Sequence, residues 1–103
     1  MRHPSDGALG ENRRALRQPI AVTAQIRDGR GPKFACRLLD LSTTGFRAEA
    51  VHPLSIGDTV WVTLPGMSGL EAEVAWRDEF TIGCRFKQPL YGPIFDNLIR
   101  ANG

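Results

Sequence analysis

Ile20, Val22, Ala24 and Ile26 alternate with Ala21, Thr23, Gln25 and Arg27, and a period of two sends successive side chains to opposite faces of an extended chain. The rhythm recurs with breaks too frequent for long helices. "DGRGP" at 28–32 supplies a turn, with glycines free to turn and a proline that ends pairing. "KFACRLLDL" at 33–41 reads as a second strand, apolar on both faces near Leu38, Leu39 and Leu41, so alternation leaves its inward face open. "STTG" ends it, and "GFRAEA" predicts a third strand with Phe46, Ala48 and Ala50 on one side. "VHPLSIGD" is a loop; Val60, Val62 and Leu64 mark a fourth strand, closed by the turn "PGMSG". Leu70, Ala72, Val74 and Trp76 predict a fifth, and Ile82, Cys84 and Phe86 a sixth. On this pattern Phe46, Trp76 and Phe86 point inward, whereas Trp61 alternates outward and is expected beneath the terminal helix. Evenly spaced short strands imply an all-β fold, an antiparallel barrel or sandwich, rather than an α/β unit.

Only the end of the chain changes period. After "KQPLYGP", Pro93 suits a first helical turn, and Ile94, Phe95, Leu98 and Ile99 fall on one face. The 103 residues suffice for one domain and not for a second core. Residues 1–12 carry Pro4, Gly7 and Gly10 among polar neighbours and are expected to form a flexible tail. The first ten residues hold no apolar run of signal-peptide length and no later segment approaches a membrane span, so the expected location is the cytoplasm, without membrane insertion. Cys36 and Cys84 have no second thiol or histidine at ligand spacing, which favours buried free thiols over a metal site.

A net charge of +2 is too small for a general nucleic-acid coat, so any anion site is local. Eleven of the 13 basic residues are arginine, the cation suited to planar, bidentate recognition. "ENRRALRQPI" at 11–20 sets Arg13, Arg14 and Arg17 just before the first strand. Surface ion pairs contribute at most about 1 kcal/mol each, so folding alone has little use for three guanidiniums there. The second informative stretch is "DLSTTG" at 40–45. Its residue types serve any tight turn. They also form an acceptor set for a guanine edge, with a carboxylate at Asp40, a hydroxyl at Ser42 and room for close approach at Gly45.

The order of these two elements, R-x-x-x-R at 13–17 and D-x-S-x-x-G at 40–45 with 22 residues between, resembles the PilZ domain, a bacterial receptor module for cyclic di-GMP. "VAWRDEFTIGCRF", with Trp76, Gly83 and Phe86, resembles that family's closing hairpin. The resemblance covers residues 13–100. It implies a six-stranded antiparallel β-barrel with a short C-terminal α-helix over 93–101 and an arginine arm over 13–19. By the same resemblance Arg13 and Arg17 clamp the ligand's phosphates and guanine edge, Arg14 assists, and Asp40, Ser42 and Gly45 form the platform. The implied protein is a stand-alone receptor without cofactor or metal, which signals through a protein effector of flagellar, pilus or exopolysaccharide machinery. Two other readings use the same residues: a PilZ-fold interaction scaffold that binds no nucleotide, engaging its partner through Trp61 and the helix, and a small barrel that binds single-stranded nucleic acid. The second is disfavoured, because such surfaces display stacked aromatics in a basic groove and three of the candidate aromatics here are expected to point inward. An enzyme is not expected, since His3 and His52 form no nucleophile–base arrangement with Ser42.

Overall fold

The computed structural model describes residues 16–102; Arg13, Arg14 and the tail expected over residues 1–12 lie outside this range. Six strands form in chain order: β1 (Gln18–Arg27), β2 (Phe34–Leu41), β3 (Gly45–Glu49), β4 (Thr59–Leu64), β5 (Met67–Asp78) and β6 (Thr81–Phe86). Helix α1 follows over Gly92–Asn102. The strands close in the order β1-β2-β3-β6-β5-β4, every pair antiparallel. The expected barrel is therefore present, and its closure leaves no open edge to pair with another chain. β1 starts at Gln18, ahead of the alternation that predicted it. β5 reaches back to Met67, which pairs with Leu64, so the turn contracts to Pro65 and Gly66. Gly66 has φ +77°, the left-handed conformation glycine adopts without penalty.

The alternating residues fill the interior: Ile26, Leu38, Phe46, Val62, Val74 and Ile82 are fully enclosed. Phe46 and Phe86 point inward as expected, and their ring centroids lie 5.6 Å apart with planes tilted by 49°. Helix α1 buries Phe95 and Leu98 and half-buries Ile99, while Ile94 stays at the rim, 39% exposed.

Four register shifts interrupt the ladders, and two of them, in β2 and β5, reverse the faces that alternation would assign. In β2, Leu38 pairs with Ala48 and Asp40 with Arg47, so Leu39 is the extra residue and the faces exchange beyond it. Leu41 consequently points into the core with no exposure; this settles the inward face that alternation left open. In β5, Val74 pairs with Cys84 and Trp76 with Gly83, which makes Ala75 the extra residue. The expectation that Trp76 points inward is thereby corrected. Its indole lies on the outer face over Gly83, 37% exposed; a Cβ at position 83 would sit 2.1 Å from the indole Nε1. Trp61 faces outward as expected, but it lies beside β1 and the β1–β2 turn rather than beneath α1: the Arg27 guanidinium stands 4.8 Å from its ring centroid, and a Cβ at Gly29 would lie 3.5 Å from the ring.

The far end of the barrel is held by charge. Arg77 donates from Nη2 to the Ala50 carbonyl at 3.1 Å, and from Nη1 to those of His52 and Leu54 at 3.1 and 3.3 Å, pinning the β3–β4 loop. Arg30 bridges Asp28 at 3.2 Å and Asp58 at 2.8 Å. His52 stacks on Phe34 at 4.0 Å and places Nε2 3.3 Å from Asp28 Oδ2. The Arg30 backbone N–H holds the Asp28 carboxyl below its ordinary pKa, aided by the Arg30 guanidinium and His52 against the cost of burial. Because the folded carboxyl binds its proton less tightly than the unfolded one, its contribution is present above the unfolded pKa of about 4 and is lost as pH falls through the folded value. Asp28→Asn should therefore be less stable than wild type at pH 7 and lose less further stability between about pH 4 and pH 2, as denaturant titrations across that range would show.

Both cysteines are free and buried. Burial pushes the Cys36 thiol up to about 11. It pushes Cys84 up to about 12, with nearby Cys36 adding to the rise and the Arg17 charge opposing it. The neutral thiol is a poor nucleophile. A disulfide thiol reagent at pH 8 should leave the folded protein unmodified on the timescale in which it titrates both cysteines in denaturant; rapid reaction of folded protein would contradict the burial.

Candidate functional site

The site begins with the bulge at Leu39. By turning Leu41 inward it turns Asp40 to the outer face, although the residue keeps only 8% exposure. The Asp40 carboxylate is consequently held by neighbouring side chains. Arg47, directly opposite on β3, donates from Nε to Oδ2 at 2.9 Å. Arg17 reaches Oδ1 from Nη1 at 3.4 Å. The register explains that meeting: Pro19 pairs with Asp40 and Gln18 with Leu41, so the residue preceding β1 lies beside the end of β2. Arg17 and Arg47 keep 40% and 44% side-chain exposure against 11% for Asp40. Two accessible guanidiniums thus flank one sheltered carboxylate.

Ser42 and Gly45 belong to the same turn, but their visible work is internal. The Ser42 N–H donates to the Gly45 carbonyl at 2.9 Å. The Ser42 Oγ accepts from the Thr44 N–H at 3.2 Å and lies 3.1 Å from Thr44 Oγ1. With 2% of the residue exposed, this hydroxyl builds the turn. Phe86 N–H donating to Thr44 O at 2.8 Å and Leu90 N–H to Thr43 O at 2.7 Å fasten the turn to the end of β6 and the lead into α1. At Gly45 the close approach foreseen is to another strand: a Cβ would stand 2.2 Å from the Cys84 carbonyl oxygen.

Two further residues join the site. Asp40 pairs across to Arg47, Arg47 to Gly83, and Gly83 to Trp76. A carboxylate, a guanidinium and an indole resting on a glycine therefore stand in one row across four strands. Arg47 had a sequence signal, since it alternates with Phe46 and Ala48 and so faces outward. Trp76 had none, because an extra residue in a strand leaves no mark in a period-two pattern.

The arrangement is suited to binding. The carboxylate accepts paired N–H donors, the guanidiniums take phosphate or guanine acceptors, and the indole offers a stacking face. Among the described residues no group of three or more His, Cys, Asp or Glu could hold a metal ion, and no helix is long and apolar enough to cross a membrane. His52 is engaged with Asp28 and Phe34 at the far end.

Gly45→Ala should destabilise the ligand-free protein by about 1–3 kcal/mol, since the new methyl forces β3 away from β6. Denaturant unfolding checks this; unchanged stability would return Gly45 to a role in ligand approach alone.

A family model described as the PilZ domain matches residues 11–100, nearly the whole chain. No curated protein matches it. With the closed six-stranded barrel, its C-terminal helix and that match in agreement, the chain belongs to the PilZ domain family, whose members are binding modules built on a cyclic di-GMP receptor fold.

Proposed function

We propose that this protein is a cytoplasmic receptor for cyclic di-GMP that closes its arginine arm over the ligand and passes the change to a protein partner. The observation that carries the reading is the meeting of Arg17 with Asp40, 23 positions apart in the chain and 3.4 Å apart in space. Arg17 of the arm thus stands on the D-x-S-x-x-G turn, which supports a ligand volume shared by the two motifs. Cyclic di-GMP carries two phosphates and two guanines and needs cations and acceptors together. In this reading Arg13 and Arg17 supply forked donors to phosphate and to the O6/N7 edge, and Arg14 assists. Asp40 accepts from the guanine ring N–H and amine, while Ser42 and Gly45 hold the turn that presents it. The half-exposed Trp76 indole extends the surface on which a base can lie. A new surface formed by arm and ligand is what a partner would read.

Isothermal titration with cyclic di-GMP tests the reading. Arg17→Ala and Asp40→Ala should each bind roughly 5- to 150-fold more weakly than wild type, the equivalent of one lost fork at about 1–3 kcal/mol. Absence of heat from wild type at tens of micromolar protein, or equal heat from all three, would overturn the assignment. A single-stranded oligonucleotide titrated alongside should give no comparable heat.

A further inference from the structure

The two arginines on Asp40 are not equivalent, and the difference has a consequence for a ligand. Arg47 sits within a strand, with Asp40 as its direct cross-strand neighbour. Its Nε contact at 2.9 Å has the length of a charge-assisted hydrogen bond. Arg17 precedes the first strand, and its 3.4 Å contact is at the long limit of hydrogen bonding. One oxygen of the carboxylate is thus fixed by a residue that the barrel holds in place, and the other is held loosely by a residue whose backbone lies outside the strand ladder. Both guanidiniums cannot be surplus to a carboxylate this sheltered: with Asp40 only 11% exposed in its side chain, loss of both partners would leave a poorly solvated charge.

We propose that Asp40 works by exchange, with Arg47 as a positioning residue that keeps Oδ2 oriented while Arg17 leaves Oδ1 to make way for the ligand's guanine. The proposal rests on the cyclic di-GMP reading above. Arg17 caps the acceptor in the free protein, presenting to Oδ1 the kind of N–H donor that guanine presents. When guanine takes Oδ1, the released Arg17 is free to meet a phosphate of the same ligand. The carboxylate keeps a cationic partner throughout, so it is never left as an unpaired buried charge. No covalent bond changes; the Arg17 hydrogen bond to Oδ1 gives way to one from guanine, whose second donor shares Oδ2 with Arg47 Nε, and one guanidinium passes from a carboxylate to a phosphate.

A double-mutant cycle read by isothermal titration with cyclic di-GMP tests this, using wild type, Arg47→Ala, Asp40→Ala and the double variant, with circular dichroism as the fold control. Arg47→Ala should weaken binding about 10-fold, the loss of one charge-assisted hydrogen bond, and should cost almost nothing further in the Asp40→Ala background. Arg47→Lys, which keeps the charge without the Nε donor, should fall between, and carries the comparison should Arg47→Ala unfold. Nitrogen-detected spectra of the arginine Nε–H groups should show Arg47 unmoved on ligand addition and Arg17 shifted. Wild-type affinity in both Arg47 variants, or losses that add fully in the double variant, would overturn the exchange while leaving the receptor reading intact. Additive losses would make Arg47 a direct ligand contact. Wild type that gives no heat overturns the receptor reading and the exchange with it.

Discussion

One extra residue in β2 sets the outer face of the barrel. Without the bulge at Leu39 the alternation from Cys36 and Leu38 would carry Asp40 into the core and Leu41 out to solvent. Burying a leucine stabilises by about 1.5–3 kcal/mol, and an unpaired carboxylate inside costs at least several. Both terms favour the exchange of faces, and together they exceed the cost of a locally broken ladder. The bulge is thus the solution that this order of residues requires, and it puts Asp40 opposite Arg47 and beside Arg17.

A second bulge, at Ala75, does for an aromatic residue what the first does for an acid. It brings the Trp76 ring outside, where the missing side chain of Gly83 leaves room for it to lie. Gly45 and Gly83 therefore share a physical role at different places. One allows two backbones to close together and the other allows a ring to lie on a backbone. Each absence of a side chain is matched by a neighbour that occupies the space. The carboxylate, guanidinium and indole row follows from these local irregularities in an otherwise regular sheet.

The two ends of the barrel use their arginines differently. At the far end, Arg77 and Arg30 are spent on loop carbonyls and on Asp28 and Asp58, which fastens the β3–β4 loop to the β1–β2 turn. At the other end, Arg17 and Arg47 share one acid and keep much of their surface accessible. A net charge of +2 says nothing of this division. A local excess of cation over anion, with the anion sheltered and the cations reachable, is what makes one end suited to a small anionic ligand.

Period-two alternation and turn residues were enough to read six strands, the terminal helix and nearly all of the core from the amino-acid order, because side chains in a strand alternate wherever one face is buried. The tandem of R-x-x-x-R and D-x-S-x-x-G carried the family resemblance. The order of residues also marked Arg47 as outward, through its alternation with Phe46 and Ala48. Tertiary structure alone decided which face of β2 is inside, that Trp76 is out, and that Arg17 stands on Asp40. Those facts depend on register between strands distant in the chain, and a one-residue slip reverses every face beyond it. A linear pattern records the period of a strand and not its phase against a partner, which only pairing supplies.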